Sequence, residues 1–485
     1  MASRLRYNFI YNAAYQVLLI ITPILTTPYL SRILSADGVG TYSYTSAIAS
    51  YFALFATLGM SQYGVRTLAT YTTDRQGRTR TFWSLFFNQA FFSFFALCAY
   101  LLYIFFLHPS HGITIASIWI LHIVGTMLNI SWLLFSMQNF LIPTIRNTIV
   151  KITELILIFT LVNTKEDVWK YIAIIAGGFL VSQLSIWPFI IKYVDFYLPN
   201  WKEISHHFSQ NLLLFIPIIA ISLYTTLDKI MLGALTDMTQ SGYFEYSERI
   251  SKIPLSVITA LGTVMLPRMT STFSEGKDRE AKYLLSTSFW FMQAAAAAFA
   301  FGIASISPEF IPLFLGDNFS DAILTMTMLA FIVPLISATN VLGVQYLVPT
   351  KKDRFFRLSV IIGGLTNVCV NLILIPRYGA IGAAVGTLTA EISVFIAQAI
   401  FVRKDIPILH YLKISVLPFS IIGLLMAIVV RLTAYVTTTY IHHDLICLIL
   451  EISAGGLFYI ICFFGYVFVR RDPHFFQLIR KIDKK

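Results

Sequence analysis

Apolar runs of about twenty residues, separated by short polar punctuation, recur from one end of the chain to the other. That length of helix spans the hydrocarbon core of a bilayer, and in lipid a helix satisfies its own backbone hydrogen bonds. The pattern predicts fourteen membrane spans, starting near Tyr7, Thr41, Phe82, Ile113, Thr148, Trp169, Ser209, Ser241, Leu284, Asp321, Arg357, Ile381, Tyr411 and Leu445. The first run reads as a span and not as a cleaved leader, because it is too long and no Ala-x-Ala-like site follows it. The expected fold class is an all-α polytopic membrane protein.

Basic residues test this map, since Lys and Arg concentrate in cytoplasmic loops. With the N-terminus inside and the spans alternating, the inner segments collect 27 of the 35 Lys and Arg residues and the outer segments collect 5. Lys229, Arg249 and Lys252 fall within the membrane. The bias predicts that both termini are cytoplasmic.

The two halves of the sequence echo each other. At an offset of 202 residues, Gly40-x-Tyr42-x-Tyr44 meets Gly242-x-Phe244-x-Tyr246, and Arg66, Arg75 and Arg80 meet Arg268, Lys277 and Lys282. At 206, Phe140-Leu141-Ile142-Pro143-Thr144 meets Tyr346-Leu347-Val348-Pro349-Thr350, Arg146 meets Lys352 and Lys151 meets Arg357. The unit is six spans, so both copies enter the membrane from the same side, related by a pseudo-two-fold along the membrane normal. The expected organisation is a six-helix bundle over 1–203, a second over 204–408, two further transmembrane helices over 409–470 and a basic cytoplasmic tail over 471–485.

Composition agrees with a lipid-embedded chain. Hydrophobic residues make up 57% and charged residues 12%, against roughly 45–50% and 25% in soluble domains. Too little charge remains to cover a water-facing surface, which excludes a soluble enzyme or a disordered scaffold. The net charge of +11 is explained by the cytoplasmic bias, and no nucleic-acid-reading motif accompanies it. The four cysteines lie in apolar stretches at no metal-binding or disulfide spacing.

Charge at mid-membrane is costly and marks functional candidates. Asp228 and Lys229 lie in span 7, and Glu245, Glu248, Arg249 and Lys252 lie in span 8. Residues 245, 248, 249 and 252 share a helical face, and Glu245–Arg249 and Glu248–Lys252 have the favourable i,i+4 order. Two readings stand: a self-neutralised network that holds helices together, or a cationic wall that grips an anionic head group. Asn8, Asn12 and Gln16 form a polar stripe in span 1, and Asn367 and Asn371 repeat that spacing in span 11. Lys151 and Arg357 sit at inner mouths of spans 5 and 11; Arg66 and Arg268 are similar. Each suits either phosphate capture or plain topology. Glu391, alone in span 12 with Thr387 and Gln398 on its face, is a candidate ion-coupling site or a hydrogen-bonded acid. Pro23, Pro217, Pro254 and Pro334 are candidate kinks.

Catalytic constellations are absent from the sequence. It has no phosphate-cradling Walker loop, no H-E-x-x-H and no paired-Cys metal site. His206-His207 and His442-His443 are adjacent pairs in loops, and His108 and His111 flank a turn. A transporter with no cofactor and no metal is expected.

The residues also resemble a family. Pro28-Tyr29-Leu30-Ser31-Arg32-Ile33-Leu34 followed by Gly38-Val39-Gly40-Thr41-Tyr42 resembles the opening motif of bacterial polysaccharide repeat-unit flippases of the Wzx type. Tyr63-Gly64-Val65-Arg66 is similar to that family, as are Leu227-Asp228-Lys229-Ile230-Met231-Leu232-Gly233 and Leu261-Gly262-Thr263-Val264-Met265-Leu266-Pro267-Arg268-Met269. So is Asn371-x-x-Leu374-Ile375-Pro376-x-x-Gly379-Ala380-x-Gly382-Ala383-Ala384. The resemblance covers nearly the whole chain.

It implies the fold of the multidrug/oligosaccharidyl-lipid/polysaccharide exporter superfamily: two six-helix bundles facing each other in a V, with two extra helices after them. It implies a cytoplasmic-membrane flippase for polyprenyl-pyrophosphate-linked oligosaccharide, serving cell-surface polysaccharide biosynthesis, with H⁺ or Na⁺ coupling and polysaccharide polymerase and export machinery as partners. Arg249, Lys252, Lys229 and Arg32 would line a cationic cavity, with Arg66 and Lys151 as further anion-binding candidates. Asp228, Glu245, Glu248, Asn8, Asn12 and Gln16 would form its polar network. A lipid II flippase for peptidoglycan and a cation-coupled multidrug antiporter of the same superfamily are the rival functions.

Overall fold

A computed structural model describes residues 2–107, 112–441 and 443–470, with side chains described there except at 2–17, 20, 216–217, 220, 223–224, 257, 261 and 263–264. The described residues form helices and connecting turns, with no strand among them. Nine helical stretches among them are long and apolar enough to cross a membrane. Asn8, Asn12, Gln16, Pro217, His108, His111, His442 and the tail 471–485 lie outside the described residues or side chains.

The chain divides into two compact units, Met1–Gly242 and Tyr243–Lys485. The first opens with α1 (Ala2–Thr57), which breaks at Ser35, a non-helical residue with φ 58°. It continues with α2 (Met60–Leu68), α3 (Arg75–Leu107), α4 (Ile113–Ile118), α5 (Ile120–Met127), α6 (Ser131–Ser136), α7 (Leu141–Leu161) and α8 (Val168–Leu184). A linker leads through α9 (Trp201–Ser205) to α10 (Phe208–Thr225) and α11 (Leu227–Leu235). An aromatic core joins α2, α3 and α6. In it Phe82 lies 5.3 Å from Trp132, and the Trp83 and Phe86 rings meet edge-on at 5.8 Å.

The first turns of α12 (Met238–Ser274) belong to this unit and cross α1 closely. A Cβ on Gly40 would collide with the Met238 carbonyl oxygen, and one on Gly242 would collide with that of Ala36. Residues 36 and 40 are the repeat mates of 238 and 242, so each segment offers the same contact to the other. Small residues permit the crossing by letting backbones touch.

The second unit holds the rest of α12, then α13 (Asp278–Leu315), α14 (Ala322–Ala330), α15 (Ile332–Thr339), α16 (Asp353–Val402), α17 (Ile408–Tyr411), α18 (Leu417–Tyr440) and α19 (Asp444–Arg470). Residues Asn340–Leu347 form a π-helical stretch. Pro334 lies within α15, and its carbonyl accepts the Gln293 amide at 2.9 Å. Helix α16 doubles back at Gly379, whose φ of 52° permits the reversal. Gly363 then meets Val394, Asn371 meets Gly386 and Leu374 meets Gly382. The last two helices pack on α13: Trp290 lies among Phe419, Met426 and Tyr459, and the Tyr459 hydroxyl donates to the Ala294 carbonyl at 2.6 Å. Arg431 of α18 grips Glu309 of α13 through both carboxylate oxygens. All four cysteines are free.

Candidate functional site

The charged face of α12 forms as helical spacing requires. Arg249 pairs with Glu245 and Lys252 with Glu248, each at 2.6 Å. The acids are buried at 5% exposure, while the Arg249 and Lys252 side chains remain 27% and 38% exposed. Each pair therefore has an anionic root and a cationic tip. The Arg249 guanidinium also lies 5.5 Å from the Tyr246 ring.

Within the same unit, the Lys252 charge lies within electrostatic reach of the buried Glu391. The α16 hairpin supplies the surroundings of that acid. Asn371 donates to Asn367 at 3.1 Å, and the Thr387 hydroxyl bonds the Ala383 carbonyl at 3.0 Å. The antiparallel register sets Asn367 opposite Ala390, beside Glu391. Gln398 donates to Ser359 at 3.1 Å. Among the described residues, no group of three or more His, Cys, Asp and Glu gathers as a metal site.

The first unit distributes its candidates. Asp228 is buried on α11, which rests against α1 where Gly233 meets Tyr44, and its charge reaches Tyr51. Lys229 follows it, half-buried. Arg32 is exposed at the end of the first arm of α1 and donates to the Pro28 carbonyl at 3.0 Å. Lys151 pairs at 2.6 Å with Glu154, a buried acid that the sequence reading missed although i,i+3 spacing reveals it. Both line a cavity of about 500 Å³ with Arg146, His122, Gln183 and the Ser46 and Ser50 hydroxyls of α1. Arg66 lines a different cavity of about 830 Å³, with Arg80 and Lys202. Arg32 lines neither of these two.

Two further findings departed from sequence reasoning. His207 is no plain loop residue: its Nδ1 lies 2.7 Å from the Tyr63 hydroxyl. Glu451 of α19 is fully buried and, among the described residues, has no hydrogen-bond partner for either carboxylate oxygen. The logic that singled out Glu391, a lone acid in an apolar run, finds it too.

The profile of the family described as polysaccharide biosynthesis protein matches residues 5–273. The chain belongs to that family. A putative O-antigen transporter of Escherichia coli (strain K12) is 24% identical, covering 83% of this chain and 97% of that one. The lipid II flippase MurJ in an inward closed conformation has the same fold, with a TM-score of 0.74 at 17% identity, covering 96% of this chain and 100% of that one. An outward-facing multidrug resistance MATE family transporter of the MOP superfamily superposes with a TM-score of 0.53 at 14% identity, over 84% of this chain and 96% of that one. The family member described here is a multi-pass integral membrane protein, with nine helical stretches among the described residues long and apolar enough to cross a membrane. The resemblance read from the sequence motifs agrees with the family match.

Proposed function

We propose that this protein carries polyprenyl-pyrophosphate-linked oligosaccharide from the inner to the outer leaflet of the cytoplasmic membrane, by alternating access, for cell-surface polysaccharide synthesis. The observation that carries the reading is the α12 face, where two cations project above buried acids on a membrane helix. Arg249 offers a planar fork to a pyrophosphate and Lys252 a point charge. The relative from Escherichia coli, a putative O-antigen transporter, supports the substrate class.

In this reading fourteen spans carry the chain across the membrane with both ends inside, and α1 and α16 each supply two of them. Bundles 1–203 and 204–408 rock against each other, and the reciprocal crossing of residues 36–40 with 238–242 supports their repeat relation. Residues 409–470 add two helices. Lys229, Arg32, Arg66 and Lys151 contribute further cationic contacts, and Asp228, Glu245, Glu248, Asn8, Asn12 and Gln16 complete the polar path. Glu391 exchanges H⁺ or Na⁺ and communicates with Lys252. Polysaccharide polymerase and export machinery take the product onward.

The test is export of the lipid-linked repeat unit in cells carrying R249E/K252E. Export is expected to stop while the protein reaches the membrane at normal level. Unimpaired export would remove the α12 face from the path.

A further inference from the structure

The cavity of about 830 Å³ in the first unit is built from segments far apart in sequence: the end of α2, the start of α3, the linker before α9 and the start of α10. Its volume lies within the roughly 300–1,000 Å³ of ligand pockets. Arg66, Arg80 and Lys202 face it. Its one acid is already engaged, since Glu203 accepts the Asn200 amide at 2.8 Å and the Tyr197 hydroxyl at 3.0 Å. Arg80 lies over the Tyr197 ring at 5.6 Å. Among the described residues, neither Arg66 nor Lys202 has an ion-pair or hydrogen-bond partner for its side chain, unlike the paired cations of α12. Burial, with His206 beside it, lowers the His207 pKa to about 4, so that ring is neutral near pH 7. Thr67, Thr70, Thr81 and Ser84 add hydroxyls.

The walls are fixed. Arg75 holds Asp195 through both oxygens, the Trp83 indole donates to the Asp195 carbonyl at 2.7 Å, and Arg78 donates to the Tyr193 carbonyl at 2.8 Å. Asn211 donates to Asn88 at 3.2 Å, tying α10 to α3. The strapped linker also presents Phe196, Leu198 and Trp201, 78%, 70% and 57% exposed, beside Lys202. Aromatic and apolar groups interleaved with cations are typical of the membrane–water interface, and the positive-inside bias places this segment at the inner leaflet.

We propose that this cavity is a head-group site for a phosphate or pyrophosphate carried on a lipid. The anion sits between Arg66 and Lys202, and the hydrocarbon lies along Phe196, Leu198 and Trp201. Two sources share that chemistry: the polyprenyl pyrophosphate of the cargo, docked before transport, and a resident anionic phospholipid. The cargo assignment rests on the proposed function; the phosphate site does not.

The test is equilibrium binding to the full-length protein in phosphatidylcholine nanodiscs, titrated with polyprenyl pyrophosphate in one arm and phosphatidylglycerol in the other. R66Q/K202Q is expected to weaken binding at least about tenfold, equivalent to roughly 1.4 kcal/mol, while R66K/K202R retains it and the melting temperature is unchanged. Should R66Q/K202Q melt early, K202Q alone, on the exposed side of α9, is read instead, with about a threefold loss expected. Loss confined to polyprenyl pyrophosphate makes the site a cargo dock. Loss of phosphatidylglycerol binding makes it a resident-lipid site. Unchanged binding of both lipids overturns the proposal. R249E/K252E in the cellular export test keeps the readings separate: normal export by that variant would sink the α12 path and leave this cavity standing.

Discussion

Helices α1 and α12 match in sequence at an offset of 202 residues, yet they present different chemistry. At the offset of 202, Ser43, Ser46, Ala47 and Ser50 of α1 stand where α12 has Glu245, Glu248, Arg249 and Lys252. Ser46 and Ser50 line the 500 Å³ cavity, and the Ser46 hydroxyl bonds back to the Ser43 carbonyl at 2.9 Å. A serine satisfies itself on the preceding turn. A lysine or arginine in the same place requires a nearby acid, or its desolvation goes uncompensated. The two helices share one sequence pattern, and acid partners decide which of them carries charge. Where the cation has no acid, as at Arg66 and Lys202, it lies at an open interfacial cavity instead.

The sharpest way to break this contrast is to give α12 the chemistry of α1. E248S/K252S removes acid and base of this pair together. Export is expected to fall below about a tenth of normal, as loss of charge-assisted contacts worth about 1.5–3 kcal/mol implies, with the protein still folded by thermal melting. Next come the crossing glycines. G40A and G242A each drive a Cβ into a backbone carbonyl, which no rotamer change relieves. Each is expected to cost toward the top of the about 1–3 kcal/mol of overpacking, and by similar amounts. Markedly unequal melting shifts would show that the crossing is not reciprocal.

Smaller effects are expected from E248Q and E154Q, which remove the buried acid beneath Lys252 and Lys151. A fully buried pair would lose about 3–5 kcal/mol. Both ammonium groups are about a third exposed, so solvent screening reduces this to about 1 kcal/mol each. The least effect concerns acid. Arg75 holds the Asp195 carboxyl below the usual carboxylate range, and Lys352 does the same for Asp405. Depressed carboxyl pKa values give stability that is present above the ordinary pKa of about 3.9 and is lost as pH falls through the folded values. Melting temperature should drop below about pH 4, and D195N/D405N should shrink that part of the drop.

What could be read from the sequence was periodic. The i,i+4 pairs of α12 were legible because helix geometry alone brings residues 245 and 249, or 248 and 252, together. Gly40 and Gly242 stood out in the sequence through their spacing, and the structure gives them a reason in the crossing at Ala36 and Met238. Pairings across the fold were not legible. Arg66 and Lys202 are separated by most of a unit, and nothing local in either segment announces a shared cavity. Lys202 was explained by topology alone, which any cytoplasmic lysine satisfies, and Arg66 stood open between topology and phosphate capture. His207 likewise reads as an ordinary loop residue until Tyr63 is placed beside it.

The reciprocal crossing constrains how the two repeats can diverge. Each glycine accommodates a carbonyl contributed by the other copy, so a bulkier residue in either must be matched by a retreat in its counterpart. Single changes there are dead ends, while paired ones require simultaneous luck. The serine-to-charge exchanges begin only three residues further along, at Ser43 and Glu245. The crossing thus acts as a locked register mark, and the chemistry differs only beside it.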